Sequence, residues 1–441
     1  MSRRYHRIGI TVFLAAVFSF CISRDIQIEK QYTLDLRNRI VGARLQKDGR
    51  LPYFFKWQPS DGMRYYDPAN IDPADIDNTY GNAITASPFF HHLLYPIADL
   101  PQRKISQIWL AFEYIIFISI VLIAFTFTKN LSQQWTVAIG SALFLFMHAW
   151  MVHVLAGQMY ITIPFFAIVF LFCFLRKDRL FFSFISGLAA ATMILIRPTC
   201  VIFFIPFLLL LNTFKIKEAF LFFLPIIVLF GYSLINSKER SYWLEYREAI
   251  AAHIKLHQSN EHAPPTFSFK TLNDTSMEGW NVLSVYKLRN EFPFVLRSET
   301  SSIGVFSRDA LHINIPAWVI NFISFGSIAS LMFVFWRKET RNKDLSIIIV
   351  AIFGFCLYMV SDFLSPLFRI QYYGVQWAFP LLLLAAFYDR RLRTVYLLLL
   401  AGLLLNITNT PYLKMRHTIG ELIILFTLLW LCLSPKSQLI K

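Results

Sequence analysis

The stretch YTLDLRNRIVGARLQKDGRLPY, residues 32–53, places the carboxylate of Asp35 at the head of a basic run that holds Arg37, Arg39, Arg44 and Lys47. An aspartate at the head of such a run can cap a helix N-terminus, or pair in water with Arg37 or Arg39. It can also act as a general base. In that role it takes the proton of a hydroxyl as the hydroxyl attacks an anomeric carbon, which requires reach to the proton and a pKa not far from the operating pH. Asp35 follows the first apolar run closely, so it sits where a membrane surface would meet a polar loop.

Three further stretches carry groups with chemical potential. GLAAATMILIRPT, residues 187–199, ends an apolar segment on Arg197, directly before Pro198. A cation there must face water, a carboxylate or a ligand phosphate. Snorkelling to the surface is the plain alternative. Its small residues Gly187, Ala189, Ala190 and Ala191 suit close helix packing. DFLSPLFRIQYYGVQWAFPLLLL, residues 362–384, gathers Asp362, Arg369, Gln371, Tyr372 and Tyr373. An interfacial aromatic belt accounts for its tyrosines and Trp377. Arg369 can pair with Asp362 or with a lipid phosphate. ASPFFHHLLYPIADLP, residues 86–101, holds His91 and His92 between prolines. Adjacent histidines on a helix point in different directions, which argues against a shared metal and for solvated rings at the interface.

The elements that must position these groups are membrane helices. The 441 residues are 56% hydrophobic and 17% aromatic, with a mean hydropathy of +0.50, too apolar for a soluble domain. Apolar segments lie at roughly 8–23, 105–127, 135–156, 159–175, 180–196, 199–213, 218–235, 316–335, 345–361, 372–388, 394–409 and 417–433. The spans carry few charges, of which Arg197 is the clearest, followed by Glu113 and Asp362 near span ends. The clusters SRRYHR, TKN, RKDR, KIK, RKETRNKD, DRRLR and PKSQLIK fall on alternate connections. One orientation satisfies them all: both termini in the cytoplasm and about twelve crossings. The same asymmetry explains much of the formal charge of +15 without nucleic acid. The N-terminus starts like a signal peptide but lacks a clear small-x-small cleavage site, and reads as a retained first helix.

Two long connections, 24–104 and 236–315, fall on the external face. Both mix aromatics with charges, unlike a disordered linker, and are expected to fold in part as helices on the membrane surface. The five cysteines lie in or at the ends of apolar segments without CxxC spacing, so neither zinc nor a disulfide framework is indicated. No glycine-rich phosphate loop of the Walker or Rossmann kind is present.

Taken in order, these motifs resemble the GT-C superfamily of integral-membrane glycosyltransferases. More narrowly, they are similar to the polyprenyl-phosphate-mannose-dependent α-mannosyltransferases of bacteria. That family has an aspartate after helix one, then small residues and a glycine before Pro-Tyr. Here these are Asp35, Gly42, Ala43, Gly49, Pro52 and Tyr53. Its proline-rich approach to helix two resembles residues 88–101. Its Gly-Gln pair before an apolar helix resembles Gly157 and Gln158. Its Gly-Leu-Ala run and a basic residue before proline, more often lysine, resemble residues 187–189 with Arg197 and Pro198. Its late Ser-Pro motif and polar–tyrosine pair resemble Ser365, Pro366 and Gln371 to Tyr373. The chain departs from the family in lacking its late Trp–His character and in its long 236–315 connection.

The resemblance implies an all-α polytopic protein with about twelve transmembrane helices in one domain spanning 1–441, and two structured external loops. It implies a multi-pass plasma-membrane hexosyltransferase whose active site is on the external or periplasmic face. The donor would be a polyprenyl-phosphate sugar, mannose in the family, and the acceptor a glycan or glycolipid. Asp35 would be the general base of an inverting transfer. Arg197, Arg369 and His91 would bind the donor phosphate, and Gln158, Gln371, Tyr372 and Tyr373 would contact substrate. Asp61, Asp67 and Asp77 are reserve carboxylates in the same loop. No cofactor is called for, and metal use varies among such enzymes. Two other classes fit part of the pattern. One is a lipid-linked oligosaccharide polymerase or ligase, which would place its key residues in a late loop such as 236–315. The other is a transporter or flippase, which would need paired charges at mid-bilayer and discontinuous helices.

Overall fold

The computed structural model describes residues 3–29, 34–55, 59–65, 84–258, 302, 307, 313, 315–339, 346–366, 369–407, 416–435, 437 and 440. Most of the 259–314 stretch, with Asp67 and Asp77, lies outside the described residues. Among the described residues the protein is all-helical, with no strand.

In chain order the helices are α1 (Arg3–Glu29), α2 (Leu34–Lys47), α3 (Pro88–Leu94), α4 (Gln102–Thr126), α5 (Leu131–Leu145), α6 (His148–Ala156), α7 (Thr162–Phe174) and α8 (Leu180–Ile196). There follow α9 (Val201–Phe204), α10 (Ile216–Ile235), α11 (Ser237–Gln258), α12 (Ala317–Glu339), α13 (Ile347–Phe363), α14 (Ala378–Ala385), α15 (Arg393–Ile407) and α16 (Arg416–Leu433).

Among the described residues, five helices are long and apolar enough to cross a membrane: Tyr5–Ile28 within α1, then α4, α10, α12 and α16. The pair α5 and α6 passes the same test when taken together, bent by 54° at the junction, as a broken span or a re-entrant loop does. The helices α7, α8 and α13 and the Pro198–Thr213 segment are apolar but shorter. This is a membrane protein. Its surface says the same: Ile216, Ile235, Trp318, Phe322 and Phe325 are exposed large apolar side chains, an arrangement that water would penalise and lipid accepts.

The helices sort into an outer and an inner set. In their most apolar windows α1 and α10 are 11% buried and α12 is 17% buried, against 50% for α4 and 67% for α16. At the centre runs α13, with fifteen of its residues buried. Its sequence IIIVAIFGFCLYMVSDF is apolar on every side, as a helix enclosed by other helices must be. Close approach is bought with small residues. A Cβ on Gly354 of α13 would stand 2.3 Å from the Phe203 carbonyl oxygen, and one on Gly187 of α8 would stand 1.9 Å from the Phe222 oxygen of α10.

Several segments differ from the sequence expectation, each for a local reason. The run at 8–23 is the middle of the longer α1, because Asp25 is accommodated rather than ending the helix. It is fully buried and accepts from Tyr114 Oη and Trp150 Nε1, both at 2.7 Å, and from Arg24 Nε at 2.7 Å. The run at 199–213 is not one helix. Pro198 opens a 3₁₀ turn, α9 lasts four residues, and Pro206 sits in the first turn of a second 3₁₀ segment, Ile205–Thr213. The run at 372–388 begins as a 3₁₀ segment, Gln371–Trp377, before α14. In the 24–104 connection, α2 and α3 supply the helices, and α11 opens the 236–315 connection.

The glycine contacts give a direct test of the packing. Gly187→Ala should lower the melting temperature, an overpacking cost of about 1–3 kcal/mol, because the new methyl meets backbone rather than a movable side-chain tip. Gly231→Ala in α10, where nothing lies within 4 Å, should be neutral or slightly stabilising. Thermal unfolding of the two purified variants in one detergent compares them.

Candidate functional site

Asp35 stands in the first turn of α2, where the partial positive charge of a helix N-terminus favours a carboxylate. It is partly exposed. Its Oδ2 accepts from Nε2 of Gln158. The Gln158 Oε1 in turn accepts from Arg39 Nη2, one turn further along α2, and Arg39 Nη1 reaches the Gly157 carbonyl at 3.4 Å. Gln158 is 1% exposed, so its amide is held between a carboxylate and a guanidinium and each of its ends has one clear partner. Gly157 makes this possible. It takes φ 64° at the C-cap of α6, and a Cβ there would lie 2.6 Å from Leu36 Cβ. Glycine serves both the turn and the approach of α2.

The next two residues after Gln158 turn to a different space. Met159 and Tyr160 line a cavity of about 630 Å³ together with Arg197, Asp362, Tyr373 and, from α11, Trp243, Tyr246 and Arg247. Asp35 is not part of that lining. Between them stand three tyrosines. Tyr160 lies 4.0 Å from Tyr373 and 5.6 Å from Tyr372, centroid to centroid, and its hydroxyl donates to that of Tyr373 at 2.6 Å. Tyr372 is the member that feels the Asp35 charge. Tyr160 and Tyr373 are the members over which the Arg197 guanidinium sits, at 5.0 and 4.9 Å.

Arg197, at the C-terminal end of α8, bonds to Asp362 Oδ1. Its Nη1 is buried and meets no hydrogen-bonding partner among the described residues. Asp362 Oδ2 accepts from Arg369 Nε at 2.7 Å. Arg369 then grips Glu421 of α16 through two parallel bonds, 2.8 and 2.6 Å, and Glu421 also accepts from Trp377 Nε1 at 2.8 Å. Of the two partners open to Arg369 in the sequence, Asp362 or a lipid phosphate, the fold places Asp362 against it. Arg369 is 1% exposed, bonds to two carboxylates and is not part of the cavity lining.

His91 is walled in. It is fully buried, its Nδ1 lies 3.2 Å from Gln46 Oε1, and Gly42 is packed so closely on it that a Cβ there would stand 2.5 Å from Nε2. Burial, with His92 and Arg39 nearby, pushes its pKa down to about 3. A neutral ring brings no cation to a phosphate, and His91 is absent from the cavity lining. His92 faces Glu239 of α11 at 3.2 Å. Gln371 is 1% exposed and neither of its amide atoms meets a partner among the described residues, an arrangement that calls for a polar group from elsewhere.

The polar loop after α2 is anchored by charge. Arg64 bonds to Asp48 at 2.8 Å and to Asp99 at 2.7 Å, and holds both carboxyls below their usual range, helped at Asp99 by Lys47, its first partner. Glu245 of α11 accepts the backbone N–H groups of Tyr53 and Phe54, each at 3.2 Å, while burial raises its pKa. Asp61 is tied to Arg50 at 3.0 Å. No group of three or more His, Cys, Asp or Glu residues able to hold a metal occurs among the described residues. The five cysteines are free and buried.

Sequence reasoning singled out Asp35, Gln158, Arg197, Asp362, Arg369 and the tyrosines, and the fold gathers them about one stack of rings. It missed Glu421, Tyr160 and Arg247. Glu421 had a signal, a carboxylate inside an apolar helix, which is rarely without a partner. No protein-family model matches the chain, and no characterised protein and no solved structure is found similar to it.

Glu421→Ala should be among the most damaging single changes outside the cavity. It leaves Arg369 buried with half of its carboxylate partners and Trp377 without its acceptor. A loss on the order of 3–5 kcal/mol is expected, read as a large drop in melting temperature. Arg391→Ala, which removes an exposed pair with Asp389 and leaves the Asp389 cap on the 391 backbone N–H in place, should leave the melting temperature nearly unchanged.

Proposed function

We propose that this protein is a membrane hexosyltransferase of the GT-C type that moves one sugar, mannose by the family resemblance, from a polyprenyl phosphate to a glycan or glycolipid acceptor. The observation that carries the reading is the turn at 157–160. Its Gln158 holds Asp35, and its neighbours Met159 and Tyr160 line the cavity that Arg197 enters.

In this reading the acceptor hydroxyl binds beside Asp35. Its oxygen forms a bond to the anomeric carbon, the bond from that carbon to the phosphate oxygen breaks, and the proton goes to the Asp35 carboxylate. Negative charge grows on the departing phosphate, and the unused Nη1 donor of Arg197 supplies a charge-assisted bond to it. Arg247 adds a second cation to the same lining. The rings of Tyr160, Tyr372 and Tyr373 form the wall shared by the two halves and give a sugar ring a face to stack on. Gln371 offers the acceptor an unspent amide. Arg369 keeps Asp362, and through it Arg197, in place. The finer topology belongs to the same proposal: about twelve crossings, both termini cytoplasmic, a plasma-membrane location and the 24–104 and 236–315 connections outside.

A transporter is the second reading, and one observation favours it. The chain Arg197–Asp362–Arg369–Glu421 is a run of buried paired charges next to a helix broken at Pro198. Uptake or lipid movement in proteoliposomes lacking any lipid-linked sugar would support it over the transferase.

Two experiments test the proposal. For topology, a cysteine at exposed Ser60 should be labelled by an impermeant thiol reagent in intact cells, and one at exposed Asp178 only after permeabilisation. The reverse pattern would invert the model of orientation. For chemistry, Asp35→Asn should melt like the wild type while sugar transfer from a panel of polyprenyl-phosphate sugars falls about 10²–10⁴-fold. Asp35→Glu should also be poor, since a shift of about an ångström is costly in such geometry. Arg197→Lys should retain part of the donor binding that Arg197→Ala loses. A stable Asp35→Asn protein with normal transfer would remove Asp35 from the role of base.

A further inference from the structure

The turn that brings Gln158 to Asp35 is fastened from behind by a buried pair that the reaction itself does not use. His153 of α6 is fully buried and Glu113 of α4 is 1% exposed. The His153 Nε2 accepts the backbone N–H of Ile161 at 3.3 Å. An imidazole that accepts through Nε2 carries its proton on Nδ1, and Nδ1 stands 3.1 Å from Glu113 Oε1, close enough for the carboxylate's charge to favour that tautomer but not aligned as a hydrogen bond. The same Glu113 oxygen takes the indole N–H of Trp109 at 3.1 Å. The Trp150 ring lies nearly parallel to that of His153, at 6.2 Å.

The consequences run along the chain. Ile161 is the residue before α7, and the Gln158 N–H already bonds to the His153 carbonyl at 3.1 Å. The imidazole thus closes the turn at its far end while the His153 backbone closes it at the near end. Gln158, Met159 and Tyr160 lie between the two closures. With the Ile161 closure released, Met159 and Tyr160 keep their bonds to the first turn of α7, Thr162 to the Met159 carbonyl and Ile163 to the Tyr160 carbonyl, but that end loses its tie to the His153 ring of α6, and Gly157 is the residue with the widest conformational freedom.

We infer that His153 is a positioning residue and Glu113 its electrostatic support: the Glu113 charge favours the proton on Nδ1 and leaves Nε2 free to accept, and Nε2 holds the turn so that Gln158 meets Asp35 on one side while Tyr160 walls the cavity on the other. This rests on the transferase reading for its catalytic consequence, though not for the clamp itself. Neither residue touches substrate in that scheme.

The two amide replacements of histidine separate the clamp from mere core filling. In His153→Asn the amide reaches the Nδ1 position, toward Glu113, but leaves Ile161 without an acceptor. In His153→Gln the longer amide reaches the Nε2 position and restores that acceptor. Hydrogen–deuterium exchange by mass spectrometry, on purified protein in lipid nanodiscs, reads the Ile161 amide. It should exchange about tenfold or more faster in H153N than in wild type, and near the wild-type rate in H153Q. In the transfer assay H153N should lose about 10–100-fold in kcat with the donor KM unchanged, and H153Q should recover most of it. Ile161 protection that is the same in H153N as in wild type would overturn the inference, as would an H153Q protein no better than H153N. Exchange that follows the clamp while the wild type transfers no sugar would sink the transferase reading and leave the clamp standing. If H153N does not fold, H153Q decides alone: a folded H153Q with a freely exchanging Ile161 amide removes the role assigned to Nε2.

Discussion

Arg369 cannot lose its charge and cannot reach water, and much of the protein is arranged around that fact. A buried guanidinium is tolerable only when its donors are met, and the carboxylates that meet them must be met in turn. Asp362 at the end of α13 and Glu421 in α16 do the first part, and Arg197 and Trp377 do the second. Four separate stretches of chain are thereby brought to one place: the ends of α8 and α13, the 3₁₀ segment before α14, and the second turn of α16. The tyrosines ride on this frame. Tyr373 lies under both arginines, 4.9 Å from Arg197 and 5.6 Å from Arg369.

The apolar helices were legible because their signal is composition, summed over many residues. Asp35 was legible because it heads a run of basic residues just after the first apolar segment, and Asp362 was one of the two partners open to Arg369 because the two share one short stretch of chain. The bond between Asp35 and Gln158 was not, since 123 residues of chain separate them and only packing brings α2 under the turn after α6. The same holds for Arg369 and Glu421, 52 residues apart. The first helix runs past the apolar segment at 8–23 for a reason that composition does not carry: Asp25 lies inside it because Tyr114 and Trp150 from two other helices supply its donors. His91 reads as an exposed interfacial ring until the glycine one helix away is seen to close over it.

The three-residue spacing of functions along the 157–161 turn has a physical economy. One short connection between two buried helices presents a polar amide to one compartment and an aromatic ring to another. That requires the backbone to reverse direction within a few residues, which the left-handed Gly157 permits and the closures at both ends preserve. A longer, looser connection would carry the same side chains with far less control over their separation.

The cavity takes part of its wall from α12, through Asn321 and Ser324, and α12 is one of the least enclosed helices, its outer face open along Trp318, Phe322 and Phe325. A space of about 630 Å³ is the size of a head group and a few rings, not of a chain of many isoprene units. An amphiphile docking there would keep its tail in the surrounding lipid. Its encounter with the protein is then a search in two dimensions, and its apparent affinity depends on mole fraction in the bilayer rather than on molar concentration in water. Dilution with inert lipid would weaken occupancy at constant bulk concentration, and dilution with buffer would not.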